Sequence, residues 1–79
     1  MCGIIGINSN RPVSVSIINS LKKLEYRGYD SAGIATLSDG LINEVKSEGR
    51  VDNLEKNSLI QNMNGTIGIG HVDGQLTEH

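Results

Sequence analysis

The sequence predicts an α+β fold in which an antiparallel sheet carries helices on one face. The first observation is that short apolar runs typical of strands alternate with two stretches whose apolar residues recur near the helical period. The second is the pair Asp39-Gly40 between two of these runs, which is typical of a two-residue hairpin turn and makes the flanking strands antiparallel. The order strand, helix, hairpin, helix, strand then leaves the helices to cover one side of the sheet.

The N-terminal elements are a predicted strand over 3–8 and a predicted helix over 14–25. The strand segment, Gly-Ile-Ile-Gly-Ile-Asn, is a short apolar run whose glycines leave room for a close approach of backbone or ligand. The helix is indicated by apolar residues at helical spacing, namely Val15, Ile17, Ile18, Leu21 and Leu24. Ser14 is the predicted N-cap, and Gly28 is expected to end the helix.

After this helix, strands are predicted over 32–38 and 41–46, on either side of the hairpin turn. A second helix is predicted over 51–61 from a weaker apolar pattern. The last predicted strand covers 66–72, where isoleucine and glycine alternate so that the isoleucines share one face. No repeat or linker divides the chain, which is therefore predicted to be one small domain or part of a larger one.

Composition argues against several functional classes. The 79 residues contain one cysteine, which excludes an internal disulfide and a multi-cysteine zinc site. With a net charge of −2, no basic stripe and two tyrosines as the only aromatic residues, the chain lacks the features of a nucleic-acid-binding surface. No apolar run approaches the roughly 18 residues that span a bilayer, and no signal peptide is recognisable. We therefore expect a cytoplasmic protein with no nucleic-acid or membrane partner.

The single cysteine, Cys2, is the first candidate functional residue. Removal of Met1 would make it N-terminal, with an α-amino group of pKa about 7.7–8.0 beside a thiol of pKa about 8.5. That amine can accept the thiol proton, directly or through a water molecule, and so activate the sulfur as a nucleophile. On this residue alone, a small buried cysteine is the favoured interpretation, because free cysteines are commonly buried.

The segment from Tyr26 to Gly33 is the second candidate, because it places an arginine, an aspartate and a serine in a connection between a helix and a strand. Arg27 can bind a carboxylate or organise a polar network. In the structural interpretation, which the segment alone favours, Arg27 pairs locally with Asp30 and the tyrosines cover the core.

His71 is the third candidate, at the end of the last predicted strand. Three roles are open to it, as a general base, a metal ligand or a hydrogen-bonded structural histidine. A metal site would require Cys2, Asp73 and His79 in addition, and no motif spacing supports such a site.

Three stretches together resemble a known family. They are Met1 to Gly6 (Met-Cys-Gly-Ile-Ile-Gly), Leu24 to Ala35, which contains Tyr-Arg-Gly-Tyr-Asp-Ser-Ala-Gly, and Gly68 to His71 (Gly-Ile-Gly-His). Over residues 1–71 the chain resembles the N-terminal part of the class II glutamine amidotransferase domain in the glucosamine-6-phosphate synthase family. The opening Met-Cys-Gly-Ile is shared by class II amidotransferases, and the Tyr-Arg-Gly-Tyr segment is the more specific marker. The resemblance reverses the preference for structural roles at Cys2 and Arg27.

The resemblance implies both a fold and a chemistry. The fold is an N-terminal-nucleophile (αββα) sandwich, of which this chain would form an incomplete part. Cys2 would be the catalytic residue and attack the side-chain amide of glutamine, with its own α-amino group as base. The ammonia released would serve the synthesis of glucosamine 6-phosphate. Arg27 and His71 would be the substrate-binding residues, and neither a cofactor nor a metal is expected.

The resemblance ends after His71, where the family continues with Thr-Arg-Trp-Ala-Thr-His-Gly and this chain reads Val72-Asp73-Gly74. We interpret the difference as a short internal deletion followed by truncation. The deletion removes the arginine that anchors the glutamine carboxylate, and the oxyanion-hole Asn-Gly pair would lie beyond residue 79. Residues 1–79 are therefore predicted to be a fragment of an amidotransferase domain that is inactive as an isolated chain. The alternative is a non-enzymatic remnant or a small binding module, and a second chain that completes the fold is a further expectation.

Overall fold

The computed structural model describes residues 2–24 and 31–74, with only the backbone at Cys2. In chain order the elements are β1 (Cys2–Asn8), α1 (Ser14–Leu24), β2 (Ser31–Ser38), β3 (Leu41–Glu48), α2 (Val51–Glu55), a 3-10 helix (Ser58–Asn62) and β4 (Ile67–Asp73). The strands form one sheet in the order β1-β4-β2-β3, and every neighbouring pair is antiparallel. Among the described strands, β4 and β2 therefore lie inside the sheet and β1 and β3 at its edges.

Both α-helices pack against the same face of the sheet, which confirms the predicted α+β arrangement. Helix α1 lies over the glycines of β4, where a Cβ atom on Gly70 would overlap Ile17 and lie 3.0 Å from Leu21. The buried core of this layer is aliphatic and consists of Val13, Ile17, Ile18, Leu21, Ala32, Ile34, Val45, Val51, Leu54, Ile60, Met63 and Val72. One sheet with one helical layer is consistent with part of an N-terminal-nucleophile sandwich.

The turn at Asp39-Gly40 confirms the predicted hairpin. Both residues have a positive φ, 53° at Asp39 and 76° at Gly40, which is the combination that a type I′ turn requires. The turn joins Ser38 and Leu41 directly opposite each other. Strand β3 then continues to Glu48, beyond the end predicted at residue 46.

The single helix predicted over 51–61 is wrong, because the segment forms α2 and a separate 3-10 helix. The break lies at Asn57, whose backbone is extended (φ −70°, ψ 125°) and whose side-chain oxygen accepts a hydrogen bond from the backbone N–H of Leu59 at 2.9 Å. Asparagine competes with the helix in this way by capping the segment that follows it. No helix within the described ranges is long and apolar enough to cross a membrane.

The predicted N-cap of α1 is also corrected. Ser14 is the first helical residue and is buried, and the cap position belongs to Val13, whose carbonyl accepts the N–H of Ile17 at 2.8 Å. Val13 is held there by its own N–H, which donates to the carbonyl of Gly65 at 3.0 Å, and by its buried side chain. The predicted helix end at Gly28 lies outside the described residues.

Candidate functional site

Cys2 lies at the end of the sheet where β1 begins and β4 ends. In the register of the sheet, Cys2 is opposite Asp73, Asp73 is opposite Ser31, and Ser31 is opposite Glu48. These four residues form one row across the strands, which we call the terminal row. The predicted nucleophile is therefore next to a carboxylate-bearing residue that is 71 positions away in the chain.

The hydrogen-bond pattern of the ladder determines how Cys2 and Asp73 are paired. Just past the other end of β1, the N–H of Ser9 donates to the carbonyl of Thr66 at 2.8 Å, which continues the β1–β4 register as a hydrogen-bonded pair. Hydrogen-bonded and non-hydrogen-bonded pairs alternate along an antiparallel ladder, so Cys2 and Asp73 form a non-hydrogen-bonded pair. In such pairs the Cα atoms are about 4.5 Å apart.

His71 lies two rows further into the sheet, between Ile4 of β1 and Gly33 of β2. A Cβ atom on Gly33 would lie 2.5 Å from the imidazole Nε2, so the ring of His71 covers the Cα position of this glycine. His71 and Asp73 are two residues apart on one strand and therefore share a face. That face is opposite the helices, because the intervening Val72 is buried in the helical layer.

The sheet face opposite the helices, which we call the open face, carries exposed apolar side chains together with the charged pair Glu44 and Lys46 of β3. Its exposed large side chains are Ile4, Leu37, Ile42, Ile67 and Ile69. They are extensively exposed, with 76% of Ile4 and 73% of Ile42 accessible to solvent. Large apolar side chains exposed together on one face of a sheet are typical of a surface that another layer or partner covers.

The structure brings two of the three predicted site residues to one region. Cys2 and His71 occupy diagonal positions on β1 and β4, and such positions are typically about 7–8 Å apart. Arg27 lies outside the described residues. A separate depression of about 150 Å³ lies between β3 and the 3-10 helix and contains none of the predicted site residues. In the described part of the chain, no group of three potential ligands is placed to hold a metal ion.

Asp73 lies at this site but was not predicted as a catalytic or substrate-binding residue. The sequence indicated it only as one ligand of a possible metal site that no motif spacing supports. The signal for it was available in part, because Cys2 opens the first strand and Asp73 closes the last. The pairing of β1 with β4 could not be predicted from the sequence, since glycine-rich strands offer few side chains from which a register can be inferred.

The comparisons with known proteins place the chain beside a class of glutamine-dependent aminotransferases. The relatives are glutamine–fructose-6-phosphate aminotransferases (isomerising), also called glucosamine-6-phosphate synthases. The one from Brucella abortus is 49% identical over 83 residues, which cover 100% of this chain. Those from Brucella suis and Rhizobium meliloti are 54% and 51% identical over 72 residues, which cover 91% of the chain. The predicted resemblance to the N-terminal part of these enzymes is confirmed.

The shared region is a small part of each relative. The chain spans 14% of the length of the B. abortus enzyme and 12% of the length of the B. suis and R. meliloti enzymes. The alignment of 83 residues is longer than the 79-residue chain, so it contains at least four positions at which this chain has no residue. No family model matches the chain.

Proposed function

We propose that residues 1–79 are the nucleophile-bearing N-terminal part of a glutamine amidotransferase domain. The observation that carries the proposal is the identity of about half of all residues, over nearly the whole chain, to enzymes named for their use of glutamine. The domain match is assigned to residues 1–71, with a deletion after His71. A cytoplasmic location stays a prediction from the sequence.

In the proposed chemistry, Cys2 is the catalytic residue. After removal of Met1, its α-amino group accepts the thiol proton, and the sulfur attacks the side-chain amide carbon of glutamine. The C–N bond breaks, ammonia leaves with that proton, and a γ-glutamyl thioester remains on Cys2. Water then hydrolyses the thioester to glutamate and restores the thiol. Arg27 and His71 are the proposed substrate-binding residues, and no cofactor or metal takes part.

The isolated chain is proposed to be inactive because it lacks groups that this reaction needs. The arginine that would bind the glutamine carboxylate is absent from the segment after His71, where the chain continues with Val72 and Asp73. The exposed open face supports the same conclusion, since the layer that would complete the site is not supplied by the described residues.

The test is the release of glutamate from glutamine by the purified 79-residue protein, beside the Cys2→Ala variant. We expect both proteins to give the same background rate, after mass spectrometry has established whether Met1 is removed. Turnover by the wild-type protein that Cys2→Ala abolishes would contradict the proposed inactivity and would at the same time establish Cys2 as the nucleophile.

A second candidate function, a small binding module completed by another chain, is favoured by the open face. Its exposed isoleucines are on one surface, so replacement of Ile4 or Ile69 by threonine should weaken association without disturbing the helical core. Val15 is the matched control, because it is 66% exposed on α1 and lies outside the open face. Sedimentation velocity of the wild type, Ile4→Thr, Ile69→Thr and Val15→Thr would detect self-association. A wild-type monomer, or equal effects of all three variants, would argue against this candidate.

A further inference from the structure

We propose that the outer edge of β3 pairs with β3 of a second copy of this chain, antiparallel and in one register centred on Val45. Two sheets would then join into one continuous sheet across a twofold axis. This interface goes beyond the proposed function, because it involves neither Cys2 nor glutamine and lies at the edge of the sheet rather than on its open face. Two features support it, the length of the edge and the order of the charges along it.

Strand β3 is a long, regular edge of the described sheet. Its residues Leu41–Glu48 pair with β2 in a continuous register without a bulge, and no other described strand lies beside it. The strand contains no proline. Bulges and prolines are devices by which proteins prevent an edge strand from pairing with another chain. Strand β3 has neither, so its backbone can accept a further strand.

The hairpin determines which backbone groups of β3 point outward. In its type I′ turn, Ser38 and Leu41 form a hydrogen-bonded pair. Hydrogen-bonded and non-hydrogen-bonded pairs alternate from there along the ladder. Val45 therefore directs its N–H and C=O groups to β2, whereas Glu44 and Lys46 direct theirs to the outer edge. A second strand can hydrogen-bond to the backbone of these two residues.

The charges along this edge select the register of the pairing. Glu44 and Lys46 lie on the open face with their charged groups 3.8 Å apart, and more than half of each side chain is exposed. When two β3 strands pair antiparallel about Val45, Glu44 of each copy lies opposite Lys46 of the other. Opposite charges directly across two strands attract. The same two residues supply the outward backbone groups, so charge pairing and hydrogen bonding agree in this register.

Other registers of the same edge are less favourable. A register centred on Glu44 or on Lys46 places like charges directly opposite each other, which is destabilising. Registers shifted towards the turn leave both charges without an opposing charge. Registers shifted past the end of β3 are interrupted, because Gly49 has a φ of 88° and the carbonyl of Glu48 already accepts a hydrogen bond from the Asn53 side chain at 3.1 Å.

The other edge strand, β1, offers no comparable selection. It contains no charged residue, and a glycine-containing strand without a charge pattern specifies its register weakly. Pairing through β3 is also expected to be weak, because a single pair of strands is a small contact beside the roughly 1,200–2,000 Å² of a stable interface. We therefore expect monomers at about 10 μM and a rising share of dimers towards about 1 mM.

The experiment is sedimentation velocity over this concentration range, under reducing conditions that exclude dimers linked through Cys2. Lys46→Glu places like charges opposite each other at both contacts and should raise the dissociation constant about tenfold or more. Adding Glu44→Lys to this variant restores opposite charges in exchanged order and should return the constant to within about threefold of the wild type. Lys23→Glu is the matched control, because it makes the same change of net charge at an exposed position of α1. It should leave the constant within about twofold of the wild type.

Amide hydrogen exchange of the wild type identifies the paired surface. Raising the protein concentration should slow exchange at the N–H groups of Glu44 and Lys46, and should leave that of Ile4, on the other edge strand, unchanged. If a variant does not fold, as judged by circular dichroism, this exchange pattern alone decides.

Four results would overturn the proposal: a wild-type monomer at about 1 mM, equal effects of Lys46→Glu and Lys23→Glu, no recovery in the double variant, or exchange at Glu44 and Lys46 that is independent of concentration. Association through the open face would give the last of these results. Glutamine is absent from both measurements, so their outcome is separate from the glutamate-release test of the proposed function.

Discussion

The packing of α1 on β4 makes the substitution Gly70→Ala a sharp test of the fold. The added Cβ would overlap Ile17 and approach Leu21 to 3.0 Å, and neither of these side chains has any exposed surface through which to move away. The overlap is with the Cγ2 atom of Ile17, which is attached directly to its Cβ and cannot be relieved by rotation of the chain end. Overpacking of a core typically costs about 1–3 kcal/mol.

Gly6→Ala is the matched control for this prediction. Gly6 is also a strand glycine, on the neighbouring strand β1, but its nearest potential contacts are at 3.8 and 3.9 Å, which is ordinary van der Waals separation. Replacing a glycine by alanine without strain stabilises a protein by about 0.4–1 kcal/mol, because the unfolded chain loses freedom. We therefore expect Gly70→Ala to be less stable than Gly6→Ala by about 1.4–4 kcal/mol.

The assay is urea denaturation followed by circular dichroism, with the two variants and the wild type measured at one protein concentration. Equal stability of Gly70→Ala and Gly6→Ala would refute the packing of α1 against this face of β4. A change in the slope of unfolding with urea, without a change in the midpoint, would indicate an altered unfolded or native ensemble and would also contradict the reasoning.

Two further predictions concern single side chains of the sheet. Thr36 is buried, and its hydroxyl has no hydrogen-bond partner among the described residues. Thr36→Val should therefore raise the free energy of unfolding, measured by urea denaturation, by about 1 kcal/mol. A loss of stability in this variant would show that the hydroxyl is hydrogen-bonded. Gly33→Ala should displace the imidazole of His71, because the new Cβ would lie 2.5 Å from Nε2. The NMR chemical shifts of the His71 ring should therefore change markedly in Gly33→Ala and little in the control Gly6→Ala. Unchanged shifts in both variants would contradict the placement of the ring.

Much of the secondary structure was predictable because it depends on local patterns. The strand β1, the hairpin at Asp39-Gly40 and the alternation in β4 each follow from side-chain periodicity or turn chemistry within a few residues. The division of 51–61 was missed because it depends on one hydrogen bond of the Asn57 side chain, which competes with a helical pattern that was already weak. The spacing of apolar residues gives no information about whether a side chain competes with the helix for a backbone hydrogen bond.

The candidate site was less predictable, because its residues come from opposite ends of the described chain. Cys2 was singled out by its position next to Met1, and His71 by its place at the end of a strand. That they share the end of one sheet follows only from the pairing of β1 with β4, which no local pattern encodes. The chemistry assigned to them came from the resemblance to amidotransferases, since composition and spacing alone favoured a structural role for Cys2.

The pairing of β1 with β4 also has a consequence for the order of events during synthesis. β4 is the sole neighbour of β1 in the described sheet, and even the nearest partners, Asn8 and Ile67, are separated by most of the chain. At about 5–20 residues per second, a ribosome needs about 3–12 seconds to make the intervening segment. Throughout that interval β1 has no partner strand, so Cys2 is presented to processing enzymes on an unpaired nascent chain. Strand β1, which carries the proposed nucleophile, is thus the first strand to be synthesised and among the last to pair in the sheet.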